Sequence, residues 1–164
     1  MAPIVSRAEI AGSPAEVFSY MTDPSRFHEW QENVVKGSMD TAAVGSVCTT
    51  SRRIGGAQRT VTSRVTKLSP PRTWAIRGLD GPIRSIVEVT VEPAGGGTRS
   101  QVTIELDFTG HRIGKLLVPL VLRQSRKEMS RNMQRLKSQI GIRTRALNQN
   151  DPRAVRLKPH REGS

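Results

Sequence analysis

Three histidines, one cysteine and one tyrosine are the side chains of this 164-residue chain best suited to acid–base or nucleophilic chemistry. His28 stands near Glu29 and Glu32, His111 follows Gly110, and His160 lies close to the C-terminus. A zinc site draws on His, Cys or carboxylate ligands at set spacings such as HExxH, and no such spacing occurs. His111 reads instead as a capping or surface residue at a helix start. Cys48 falls within a strand-like alternation, where a thiol is packed rather than presented as a nucleophile, and there is no GxSxG elbow. The string Gly110-His111-Arg112-Ile113-Gly114-Lys115 falls short of a phosphate loop, with three residues between its glycines instead of four and Leu116 where Ser or Thr is required. No catalytic residue, metal ligand or cofactor is assigned, and Tyr20 is expected to pack against a sheet edge. The polar residues left for binding lie on alternating segments: Thr49, Ser51 and Arg53 on one face, and Ser63 between Val61 and Val65. Inside an apolar pocket a hydroxyl or guanidinium needs a partner, which an oxygenated ligand supplies. Arg53, close to a turn, reads as solvated.

The elements that would position these groups follow from periodicity. Residues 4–11 alternate as a strand, with Ser6, Ala8 and Ile10 on one face. Ser13-Pro14-Ala15-Glu16 has the form of a capping box with proline at the first helical position, and Asp23-Pro24 repeats the cap, so two short helices are expected to about Trp30. Strands are predicted at about 34–40, 46–54, 58–68, 72–79, 83–92 and 98–109, punctuated by Gly and Pro. Val87, Val89 and Val91, then Val102, Ile104, Leu106 and Phe108, define one dry face. Residues 111–140 read as one long helix, with Met129, Met133, Leu136 and Ile140 on one stripe of its second half. In its first half Ile113, Leu116, Leu117, Val118, Leu120, Val121 and Leu122 surround the axis, which predicts cover on several sides. Pro119 is expected to bend this helix or mark its true start.

The basic charge is concentrated at one end. Residues 1–109 hold 12 Lys and Arg against 11 Asp and Glu, and residues 110–164 hold 14 against 3. This asymmetry favours anionic surfaces, without specificity, and a weak contact with anionic membrane is expected. Specific nucleic-acid recognition is not, because interleaved aromatics and recognition motifs are missing. A lone cysteine, no signal-like N-terminus and no apolar run near the roughly 20 residues of a membrane span suggest a cytoplasmic protein. The division expected is one domain over 1–143 and a basic, mobile tail over 144–164, with nothing to set the oligomeric state.

One strand, two short helices, a six-strand meander and a long C-terminal helix form an α+β order that resembles the helix-grip fold of the START-like, or SRPBCC, superfamily. Ser13-Pro14-Ala15-Glu16-Val17-Phe18, Asp23 through the Glu29-Trp30 pair, Gly45 and Leu136-Lys137 carry the resemblance, most closely to the bacterial polyketide cyclase/dehydrase-like branch. That resemblance implies a curved antiparallel sheet of about seven strands wrapped around the helix, enclosing an apolar cavity. Trp74, Ile76, Val89, Val91, Ile104, Leu106, Phe108, Leu117 and Val121 would line it. The expected function is binding of a small hydrophobic molecule, a lipid, polyketide or aromatic metabolite. The alternatives are a cyclase, aromatase or dehydratase using the same cavity, and an interaction protein engaging an anionic macromolecule through the basic helix and tail.

Overall fold

The computed structural model describes residues 2–150. Strand β1 (Ile4–Ala11) leads into helix α1 (Pro14–Met21), a 3₁₀ turn at Pro24–Arg26 and a short helix α2 (Phe27–Trp30). Six further strands follow: β2 (Val34–Met39), β3 (Val47–Ile54), β4 (Ala57–Ser69), β5 (Thr73–Gly78), β6 (Ile83–Ala94) and β7 (Arg99–Gly110). Helix α3 (Gly114–Gln149) completes the described chain. All seven strands form one antiparallel sheet in the order β1-β7-β6-β5-β4-β3-β2, curled around α3 in the expected helix-grip arrangement.

Local chemistry accounts for the entry into the helices. The Ser13 hydroxyl accepts from Glu16 N at 3.4 Å, and Glu16 Oε2 accepts from Ser13 N at 2.9 Å, so both orphan donors of the first turn are satisfied. Asp23 caps the 3₁₀ turn through Ser25 N at 3.0 Å. Phe27 and Trp30 then turn inward, Phe27 meeting Trp30 and the β5 residue Trp74 edge to face, each at 6.0 Å between ring centroids.

The dry face is real and packs on α3. Val89, Val91, Val102 and Ile104 are buried against Met133, Leu136 and Ile140, together with Ile10, Val17 and Phe18. Polar links tie the turn after α2 to α3: the buried Asn132 Oδ1 accepts from Glu32 N at 3.0 Å, and Arg131 donates twice to the Glu32 carboxylate at 2.8 and 2.6 Å.

Three expectations for the long helix need correction. It starts at Gly114, after a turn in which Arg112 takes a positive φ of 55°, and runs through Pro119 with that ring exposed near its start. It extends beyond Ile140 to Gln149, so residues 144–149 are helical, and Thr144 Oγ1 donates to Ala11 O at 3.1 Å. Residues 151–164 of the expected tail lie outside the described residues. The first half is not covered on several sides: Ile113, Leu116, Leu117 and Leu120 are 75, 80, 45 and 64 % exposed. The sheet reaches only the opposite side of this segment, where Gly114 and Leu122 are buried and Val118 is partly so.

Gly114 sets how closely the helix start approaches the β5–β6 loop, because a Cβ there would overlap the Pro82 carbonyl oxygen. In an unobstructed helix Ala would stabilise by about 1 kcal/mol over Gly. Forced overlap costs about 1–3 kcal/mol. Gly114→Ala is therefore expected to lower stability, read as a reduced denaturation midpoint with an unchanged m-value.

Candidate functional site

Inward-facing residues follow from strand register. Adjacent strands oppose Ile4, Leu106, Val87, Ile76 and Val65 in one row, and Ile104, Val89 and Trp74 in the row beside it. A further row toward the start of α3 carries Cys48 opposite Ser63, Ser63 opposite Gly78, and Ser85 opposite Phe108. Four of these five residues are small. The row with Trp74 is filled, while Val87, Leu106, Phe108, Ser85 and Val118 keep partial exposure. These partly exposed residues lie on the concave face beside the first half of α3, where several inward side chains of the sheet are small.

The nine residues expected to line a cavity divide accordingly. Trp74, Val89, Val91 and Ile104 belong to the packed core, and Ile76 lies at its margin. Leu106, Phe108 and Val121 are half-buried, and Leu117 is 45 % exposed. Two clefts of about 300 and 320 Å³ lie farther off, along the seam between α3 and the β1 edge, and none of the nine borders either.

The same register corrects the choice of inward arginine. Cys48, Thr50 and Arg52 share the concave face, and Thr49, Ser51 and Arg53 take the other, with Arg53 exposed. Arg52 Nε donates to Thr50 Oγ1 at 3.2 Å and Nη2 to Gln31 Oε1 at 2.9 Å. Desolvation pulls its pKa below the ordinary arginine value, opposed by Glu128 across on α3 and by Cys48. Sequence alternation contained this signal in the parity of Cys48, Thr50 and Arg52.

The other chemistry-bearing groups are structural or exposed. Tyr20 is buried among the helices: its hydroxyl donates to Glu29 Oε2 at 2.6 Å, and the Arg26 and Arg143 guanidinium groups lie 5.7 and 5.0 Å from its ring centroid. Burial, then Glu29, pushes its pKa well up. His28 and His111 are exposed, and His160 lies outside the described residues. Among the described residues no three His, Cys, Asp or Glu side chains are grouped for a metal. No helix described is long and apolar enough to cross a membrane.

The family model for polyketide cyclase/dehydrase and lipid transport proteins matches residues 1–141. The chain belongs to that family. Its sequence matches no curated protein, but solved structures share its fold. The Zhui aromatase/cyclase from Streptomyces sp. R1128 superposes with a TM-score of 0.74 at 16% identity, over 88% of this chain and 96% of that one. The di-domain aromatase/cyclase BexL from the BE-7585A biosynthetic pathway gives 0.72 at 13% identity, over 92% of this chain and 48% of that one. A START superfamily protein from Mycobacterium smegmatis gives 0.66 at 14% identity, over 86% and 98%. The family's fold is one that binds hydrophobic ligands or acts as a cyclase.

Burial, opposed by Arg52, pushes the Cys48 thiol up to about 11. Below that value it stays protonated, and it is sealed from solvent. At about pH 8, iodoacetamide is expected to leave Cys48 unmodified in the folded protein and to alkylate it fully in denaturant, read by intact mass.

Proposed function

We propose that this protein binds a small hydrophobic molecule in the trough between the sheet and the first half of α3. The observation that carries this reading is the row Cys48, Ser63, Gly78, Ser85, small side chains beside the half-exposed Val87, Leu106 and Phe108. An apolar surface left unfilled on a concave face favours an apolar guest. Membership of the cyclase/dehydrase family, with likeness to the Zhui aromatase/cyclase, supports a cyclase, aromatase or dehydratase as the alternative. Binding without turnover is favoured because the Cys48 thiol is buried and held protonated and Tyr20 is engaged elsewhere. Native mass spectrometry on freshly purified protein is expected to show an adduct of a few hundred daltons that denaturation removes. Returning that compound at 100 times its dissociation constant stabilises the fold by about 2.7 kcal/mol. Ser85→Leu, which fills the trough, should reduce adduct occupancy at least about tenfold with the fold retained. A bare mass together with no melting shift on adding apolar extracts overturns the reading.

The outward stripe of α3 supports exchange of this guest at an anionic membrane. Ile113, Leu116, Leu117 and Leu120 recur at i, i+3, i+4 and i+7, flanked by exposed Arg112, Lys115 and Arg123. A buried Leu or Ile contributes about 1.5–3 kcal/mol, against about 1 kcal/mol for each basic residue near an anionic leaflet. The aliphatic contacts should therefore dominate. In co-sedimentation with phosphatidylglycerol vesicles, Leu116→Ser with Leu120→Ser should release more protein than Lys115→Gln with Arg123→Gln. Equal recovery with phosphatidylcholine rejects the anionic preference, and no binding to either vesicle at low salt rejects membrane exchange.

A further inference from the structure

We propose that Arg52 anchors an anionic oxygen group of the guest, so that the trough takes amphiphiles with a charged head in preference to neutral apolar molecules. This rests on the ligand-binding reading above and names its ligand class. Arg52 stands on the concave face, and its two hydrogen-bond partners, Thr50 Oγ1 and Gln31 Oε1, are neutral. Among the described residues no Asp or Glu forms an ion pair with it. Glu128 acts on it only through space, from beyond pairing distance. A guanidinium has five N–H donors in a planar fork, and the two bonds in place leave donors for a bidentate acceptor. The indole Nε1–H of Trp30, next to Gln31 in sequence, is also buried without a partner. An incoming carboxylate, sulfonate or enolate oxygen would replace the Gln31 amide on Arg52, while the apolar body lies along Val87, Leu106 and Phe108.

Two dyes with one ring system test this: 1-anilinonaphthalene-8-sulfonate and its uncharged counterpart N-phenyl-1-naphthylamine, titrated by fluorescence into the full chain. The sulfonate is expected to bind at least about tenfold more tightly than the neutral dye. Arg52→Gln should abolish that preference and leave the neutral dye unchanged. Arg53→Gln, the same charge change on the opposite face of β3, should leave both unchanged. Should Arg52→Gln not fold, Arg52→Lys carries the test, retaining the charge without the fork and losing part of the preference. In the wild type the preference should persist at about 0.5 M salt, since an anchor within the trough is screened less than exposed charge. Binding of both dyes with equal affinity, or equal losses in the Arg52 and Arg53 variants, overturns the anchor and leaves hydrophobic binding standing. Failure of both dyes to bind overturns both.

Discussion

One helix has to cover a concave sheet, and its side chains reach across only part of the way. From Met129 to Ile140 the distance is closed by Met133 and Leu136 on the helix and by Val89, Val91, Val102 and Ile104 on the sheet. Toward the helix start the sheet presents Ser63, Gly78 and Ser85, and the helix answers with Val118 and Leu122. Close packing at one end and small side chains at the other follow from the same register. Stability is therefore concentrated in the second half of α3, where burial and the Asn132–Glu32 bond hold it. The first half is free to serve another purpose without threatening the fold.

That division bears on the charge. Along α3 the single acid Glu128 stands against nine Lys and Arg, and among the described residues no carboxylate forms an ion pair with Arg112, Lys115 or Arg123 beside the Ile113–Leu120 stripe. A helix of this composition repels its own copies more than it attracts them, so a symmetric dimer across the stripe would have to overcome like charge at close range. An anionic lipid surface meets both halves of the pattern at once, aliphatic below and basic at the rim. The clamp of Arg131 and Arg135 onto Glu32 and the Glu29 carbonyl, by contrast, uses cations of the second half for internal contacts.

Most of the architecture was legible because each element carried its own signal. The Ser13–Glu16 capping box, the alternation Val87-Val89-Val91 and the glycine and proline punctuation are local, and local rules described them. Covering of the long helix was misread because apolar residues all round an axis state only that they are apolar. Whether Leu116 and Leu120 meet a sheet or a different surface depends on where Gly114 docks against Pro82, a contact between segments about thirty residues apart. The helix end was misplaced because Ile142, Thr144 and Leu147 lack the strong stripe that precedes them. At the site, sequence showed the alternation of β3 but not which parity faced inward, since Thr49-Ser51-Arg53 and Cys48-Thr50-Arg52 are similarly mixed in polarity. Pairing of Cys48 with Ser63 resolved it.

Arg52 is hard to account for by stability alone. Removing a charge from water costs several kcal/mol, and neutral hydrogen bonds of about 1 kcal/mol each return only part of that. A Gln or Met at this position would keep the contact with Gln31 or fill the space without the desolvation penalty. Exposed arginines elsewhere in the chain incur no such cost, and Arg99 and Arg131 are compensated by Glu9 and Glu32. Arg52 is partly desolvated, with no ion pair among the described residues and only the through-space field of Glu128 to offset the cost. A fold that maintains such a group on the apolar side of its sheet gains from it when an anion arrives, and the free-energy deficit in the empty protein becomes selectivity in the occupied one.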